Sequence, residues 1–308
     1  MPEKKSLFKR IKHRIELVGV KFLLLLPSIL PLKLAVKLGG TLGIIAFDIF
    51  RVRRKVSLEN LKRAFGDKYS EKELKSIARR SYVNFAKSMV EFASLRRFSR
   101  DREKLVRLVK FDGLEILDSC LERGKGVLTV TGHFGSWELM GAAVSAMGYP
   151  VDFLVGEQSN TLVDNLINDL RRSAGIGIIS RGIAAKGVFK SLKNNRVVAL
   201  LSDQDARRSG IFVDFFSTPA STFQGAAQFS YRSSAPIVCC FIVRNPDETH
   251  RVVFTEPIEP DCGADKESEI ERLTQEHTKV LEQFVTRYPD HYFWPHRRWK
   301  TKPPEKMD

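Results

Sequence analysis

Two short polar segments carry the residue types that general acid–base chemistry needs: Thr131-Gly132-His133-Phe134-Gly135-Ser136-Trp137-Glu138 and Ser202-Asp203-Gln204-Asp205. Each overlaps or follows an apolar, β-rich run, Val127–Thr131 or Val197–Leu201. His133 stands in a glycine-containing turn ahead of a helical pattern, and Glu138 falls in the first turn or so of that helix. The spacing predicts that Glu138 reaches back to one imidazole nitrogen, fixes the tautomer and stabilises the imidazolium. The other nitrogen then takes a proton from a hydroxyl. This is the base–orienter half of a serine-type triad, with the nucleophile supplied by the substrate. Backbone N–H groups near Gly135 and Ser136, at the helix start, are placed to stabilise an oxyanion. His277 and Glu282 repeat the spacing inside a long charged helix, where a solvated face is expected.

Other chemistries find less support. A nucleophile elbow at Ser136 needs glycines two before and two after, where Phe134 and Glu138 stand. There is no HExxH for zinc. Gly124-Lys125-Gly126 precedes a strand and lacks the Walker spacing, and no dinucleotide fingerprint follows the first strand. Asp203 and Asp205 suit a metal or a basic substrate group, and equally a turn. Arg171, Arg181, Arg207 and Arg208 lie in or near the same half of the chain; they read either as clamps on phosphate or as ordinary surface arginines.

The elements that must position these groups alternate. Strands are predicted at Val127–Thr131, Val151–Val155, Ile176–Ser180, Val197–Leu201, Pro236–Val243 and Arg251–Phe254. Helices are predicted at Trp137–Ala146, Thr161–Ala174, Ala184–Lys193 and about Lys266–Tyr288. The class is α/β, a mixed sheet flanked by helices, with chemistry beyond the carboxyl ends of the strands. Residues 56 to 99 read as helical, and Ser70 with Glu73 forms a capping-box pattern. Tyr292-Phe293-Trp294-Pro295-His296-Arg297-Arg298-Trp299-Lys300 suits a headgroup site, a membrane interface or a packed tail.

Residues 15 to 50 are apolar but interrupted by Lys21, Lys33, Lys37, Pro27 and Pro31, which divide them into short helices. The longest uncharged pieces, Phe22–Leu32 and Leu38–Phe47, run about 10 or 11 residues against the roughly 20 a span requires. Short helices dipping into one leaflet fit better than one tilted span over Leu23–Phe50, and a helical hairpin packed on the core is the third possibility. Basic residues flank the stretch, Lys4, Lys5, Lys9, Arg10, Lys12 and Arg14 before it and Arg51, Arg53, Arg54 and Lys55 after it. With a net charge of +15, this placement suits a cytoplasmic-leaflet surface. No nucleic-acid reading motif or interleaved stacking aromatics accompany it. Cys120, Cys239, Cys240 and Cys262 include no CxxC and read as reduced, with the adjacent pair on opposite faces of a strand.

Taken together, these blocks resemble the late acyltransferases of lipid A biosynthesis, the lauroyl/myristoyl transferase family within the wider lysophospholipid acyltransferase superfamily. The likeness covers most of the chain. It includes the basic N-terminus with its apolar segment, Gly132–Glu138, Asp203–Asp205, Phe215-Phe216 followed by Pro219, and His296–Lys300. The resemblance implies a glycerol-phosphate-acyltransferase-like fold on the cytoplasmic face of the bacterial inner membrane, divided into a membrane-associating segment, 1–55, and an acyltransferase domain, 56–308, with a helical lead-in over 56–109. It implies acyl carrier protein thioester as donor, a phosphorylated, acylated glucosamine disaccharide as acceptor, and no cofactor or metal. His133 and Glu138 match the family's catalytic pair. Arg171, Arg181, Asp203, Gln204 and Asp205 fall where the family places residues for substrate binding or activity. A strongly acidic carrier suits a basic partner through electrostatic steering.

Overall fold

Helix-breaking and helix-capping residues set the first third of the chain. The computed structural model describes residues 2–304, apart from the side chains of 2–10, 22, 23, 26 and 28. The basic side chains at Lys4, Lys5, Lys9 and Arg10 therefore lie outside the described residues. Helix α1 (Pro2–Ile29) ends just before Pro31, which precedes α2 (Leu32–Asp48). Pro27, expected to break the helix, lies in its last turn instead, and the helix ends two residues beyond it. The next helix, α3 (Arg54–Phe65), stops at Gly66, whose φ of 54° favours glycine. Ser70 then caps α4 (Glu71–Ala93) through the predicted reciprocal box with Glu73.

The stretch 56 to 99, read as helical with a start at Ser70, is α3 and α4, followed by α5 (Leu95–Arg100) and α6 (Arg102–Leu108). The rest runs β1 (Val109–Asp112), α7 (Leu114–Glu122), β2 (Val127–Thr131), α8 (Trp137–Ala146), β3 (Val151–Val155), α9 (Thr161–Ser173), β4 (Gly177–Ser180), α10 (Ala184–Lys193), β5 (Val197–Leu201), β6 (Ile211–Phe215), β7 (Thr218–Thr222), α11 (Gly225–Ser233), β8 (Ile237–Arg244), β9 (His250–Phe254) and α12 (Lys266–Arg287).

Seven strands form one mixed sheet in the order β1-β9-β8-β2-β5-β3-β4, and only β8 and β9 pair antiparallel. Apart from it, β6 and β7 make a hairpin. The strands read as near-continuous apolar runs because helices cover both faces. Side chains alternate between two cores. Leu128, Val198, Leu200, Cys239 and Phe241 face one, with α10, α11 and α12; Val127, Val197, Cys240 and Ile242 face the other, with α7, α8 and α9. The adjacent cysteines therefore point to opposite faces, as their spacing predicts.

Strands β2 and β5 are parallel neighbours, Thr131 opposite Leu201. The chain leaving β2 enters α8 on one face, whereas the chain leaving β5 passes through the hairpin to α11 on the other. Such a divergence opens a crevice at the carboxyl ends of the strands.

The N-terminal helices share this core, across the boundary expected near residue 55. Phe47 of α2 is fully buried in it, and Gly43 lets α2 approach α4 so closely that a Cβ would stand 2.5 Å from Tyr82 O. Asn160 fastens α1 to α9 by donating to His13 O (2.9 Å) and Glu16 Oε2 (2.8 Å). Among the described residues, the exposed large apolar side chains lie between Ile11 and Val52, except Met147, Leu162 and Ile183. Also among the described residues, no helix is long and apolar enough to cross a membrane.

A buried ionic cluster joins α4 to the sheet. Glu91 accepts from Arg244 Nη1 (2.6 Å) and Nη2 (2.8 Å) and bonds His250 Nε2 at 3.0 Å. Burial raises the Glu91 pKa, but the charges of His250 and Arg244 outweigh it and hold it well below the usual carboxylate range. A folded-state pKa below the unfolded one gives stability that is present above the ordinary glutamate value, near 4.5, and lost as pH falls through the folded value. Glu91→Ala leaves Arg244 buried without its main counter-charge, so urea unfolding at pH 7 is expected to show a loss of about 3–5 kcal/mol. A loss below about 1 kcal/mol would mean that the cluster contributes no more than a surface pair.

Candidate active site

The loop after β2 is fixed by contacts that leave little freedom. Phe134 is fully buried. Phe293 N donates to His133 O at 3.0 Å, Gly135 N donates to His291 O at 2.8 Å, and Ser88 Oγ donates to Gly135 O at 3.0 Å. Gly135 has φ 57°, and a Cβ there would stand 2.1 Å from Ile242 O, so only glycine fits. Gly132 lets the two loops meet, since a Cβ on it would stand 3.1 Å from the Asp203 side chain.

His133 Nδ1 lies 2.8 Å from Asp203 Oδ1. The imidazole keeps 24% of its surface exposed whereas the Asp203 carboxylate keeps 3%. Burial pushes the His133 pKa down, but the Asp203 charge and hydrogen bond, with a further contribution from Glu138, raise it above the ordinary imidazole value. For Asp203, burial pushes up, and the imidazole's charge and hydrogen bonds together with the Arg298 charge bring it below the usual range. An ionised carboxylate on Nδ1 fixes the tautomer with the proton there and leaves Nε2 as the ring's acceptor. Gln204 Nε2 stands 3.4 Å from Nε2, and Trp137 packs edge-on against the ring with centroids 5.0 Å apart.

The pairing predicted between His133 and Glu138 is not made. Glu138 is 5% exposed and held by Arg171, whose Nε donates to Oε2 (3.0 Å) and Nη2 to Oε1 (2.5 Å). The reason is topological: α8 carries Glu138 to the α9 side of the sheet, while Nδ1 faces the neighbouring strand end, one strand spacing away. Arg171, predicted to bind substrate, instead gives its donors to Glu138 and to Asn168 Oδ1 (2.9 Å). The Gly135 N–H predicted for the oxyanion is likewise used, by His291 O. Ser136 stands at the start of α8 with its Oγ buried and unpartnered among the described residues.

The remaining predicted residues divide between two tasks. Gln204 abuts His133. Asp205 anchors the C-terminal segment, accepting from Thr301 Oγ1 (3.0 Å) while its N–H donates to His296 Nε2 (2.9 Å). Arg181 stacks over the Phe223 ring at 5.0 Å and faces an open basin of about 770 Å³ beside Gln204 and His296. His277, expected on a solvated face, is 3% exposed; burial and the Arg298 charge push its pKa to about 4, so it stays neutral.

The C-terminal aromatic–basic stretch is a packed tail. Trp294 is fully buried, Asn60 Nδ2 donates to Trp294 O (2.8 Å) and His296 O (2.6 Å), and Tyr292 OH reaches Asp203 O at 3.4 Å. Arg298, 1% exposed, donates to Ser221 O at 2.6 Å and to Thr222 Oγ1. Its role behind Asp203 escaped the sequence reading. The signal was two adjacent arginines between aromatic residues.

A family model described as bacterial lipid A biosynthesis acyltransferase matches residues 1–301. The chain is 28% identical over 276 residues to the lipid A biosynthesis lauroyltransferase of Escherichia coli (strain K12), covering 89% of this chain and 88% of that protein. It is 26% identical to the palmitoleoyltransferase of the same organism, with 89% and 87% covered. Identity to the myristoyltransferase is 25%, with 86% and 81% covered.

Proposed function

Because the chain belongs to the bacterial lipid A biosynthesis acyltransferase family, we propose that it moves a fatty acyl group from an acyl carrier protein thioester to a hydroxyl of a lipid A precursor, with His133 as general base and Asp203 as its orienter. The 2.8 Å contact between His133 and Asp203 carries this reading, because it leaves Nε2 of a partly exposed ring as the acceptor. As the hydroxyl oxygen attacks the thioester carbonyl, its proton passes to Nε2. The tetrahedral oxyanion collapses, the C–S bond breaks, and the departing thiolate takes the proton from Nε2. The imidazole returns neutral and no acyl-enzyme forms. In this reading, N–H groups in the first turn of α8 serve the oxyanion. Trp137, Phe85 and Phe293 pack together next to the ring as an apolar wall for the acyl chain.

The membrane reading rests on the exposed apolar side chains between Ile11 and Val52 interleaved with Lys12, Lys21, Lys33 and Lys37. Such helices lie in the cytoplasmic leaflet's interface, basic groups at the headgroups and apolar groups beneath. The net charge of +15 favours encounter with an acidic carrier.

Incubating the purified chain with acyl carrier protein thioester and a lipid A precursor is expected to add one acyl group to the acceptor by mass spectrometry. Acylation of a lysophospholipid or ornithine lipid in its place would reassign the acceptor. Thioester hydrolysis with every acceptor would reject transfer.

A further inference from the structure

We propose that a buried water molecule bridges Thr131 Oγ1, His277 Nε2 and Arg298 Nε behind the His133–Asp203 pair, and that His277 is thereby a positioning residue. Among the described residues, six buried side-chain polar atoms have no hydrogen-bond partner, and these are three of them. Their residues come from β2, α12 and the C-terminal segment, far apart in the chain, yet all three line one small cavity. Its volume is about 10 Å³, at the lower end of what one water requires, about 10–15 Å³. Phe241 and Leu281 supply its apolar wall. Three polar partners are also the usual complement of a buried water.

The donors and acceptors match. Arg298 Nε–H can only donate, and its Nη1 and Nη2 are engaged by Ser221 O and Thr222 Oγ1. Water accepts from Nε and gives its two hydrogens to the Thr131 hydroxyl and to a neutral imidazole. His277 is neutral, because burial and the Arg298 charge push its pKa to about 4. An anion suits the site less well, since Asp203 and Asp205 already offset the guanidinium charge. An unmet Nε–H in a side chain 1% exposed costs more than an ordinary lost hydrogen bond, because the group is charged.

The cavity lies at the roots of both loops of the site. Thr131 is two residues before His133. Ser202, which also lines it, precedes Asp203 and donates its N–H to Thr131 O at 3.1 Å. The Arg298 charge is one of the influences that keep Asp203 ionised. A water tying Nε to α12 fixes the guanidinium where it acts on that carboxylate. What the pair does with a proton rests on the acyl-transfer reading; the water site does not.

A crystal structure of the full chain, at a resolution that orders other buried waters, is expected to show one water within about 2.7–3.2 Å of all three atoms. No density there, or a chloride ion by anomalous scattering, overturns the site. Thr131→Val and His277→Leu each remove one partner, and circular dichroism checks that they fold. Because both act on one water, the double variant should lose no more stability to urea than the more damaged single, whereas independent sites add. Additive losses overturn the bridge. In acyl transfer, His277→Leu is expected to lower kcat about 10-fold with KM nearly unchanged, because a small misplacement of the pair is felt only in the chemical step. His277→Gln, whose amide reaches the Nε2 position, should recover most of that loss. Should His277→Leu not fold, Thr131→Val carries the kinetic test. An unchanged kcat, a loss in KM alone, or a Gln variant no better than Leu overturns the positioning role. No transfer by the wild-type chain rejects the acyl-transfer reading and leaves the density and the unfolding cycle to judge the water.

Discussion

His133→Ala is expected to lower kcat about 10²–10⁴-fold with little change in thermal stability. The loss falls on kcat because proton removal is needed only as the oxygen attacks, so substrate binding and KM change less. The fold should tolerate the change. The imidazole is a quarter exposed, and the loop is held through its backbone by Phe293 and His291 rather than through the ring. The wild-type rate should rise with pH, because the base works only when neutral. The limb's midpoint should lie above the ordinary imidazole value of 6.5, since Asp203 and Glu138 together outweigh burial. Pre-steady-state rates on carrier-bound thioester check both statements. A variant within about 3-fold of wild type, or a limb below pH 6, would remove His133 from the proton transfer.

The sequence disclosed the parts of this site better than their pairing. Strands β2, β3, β5 and β8 were legible because sheet burial on two faces demands unbroken apolar runs. The chain segment Val109–Asp112 was not, since it is short and half polar at the sheet edge. Nor was the β6–β7 hairpin, whose Pro219 sits in a two-stranded ribbon where an unmade ladder bond costs little. Glu138 looked like the partner of His133 because sequence shows neighbours along the chain. Asp203 lies seventy residues away, and only the strand order, with β5 inserted next to β2 ahead of β3, makes it the closer carboxylate. The burial of His277 was hidden for a related reason. A charged helix pattern gave no hint that α12 lays that residue against the sheet beside Arg298.

That difference yields the second large effect. Asp203→Asn keeps the size of a side chain with 3% exposure but removes its charge. The amide NH₂ can donate to Nδ1 and move the ring proton to Nε2, the nitrogen that must accept, so kcat should fall about 10³–10⁴-fold. Without the carboxylate the imidazolium also loses its main stabiliser, so the residual activity should show its acid limb at lower pH than wild type. Glu138→Ala differs in kind. It leaves the Arg171 guanidinium, only 16% exposed, without its carboxylate, and unfolding free energy should drop by about 3–5 kcal/mol. Its rate also suffers as α8 and α9 loosen, but the acid limb moves little because Asp203 still holds Nδ1. Measuring kcat against pH and urea unfolding on both variants separates a charge that acts on the ring from one that braces the helix beneath it. Near-normal turnover in Asp203→Asn, with a downshifted limb and intact stability in Glu138→Ala, would return the orienting role to Glu138.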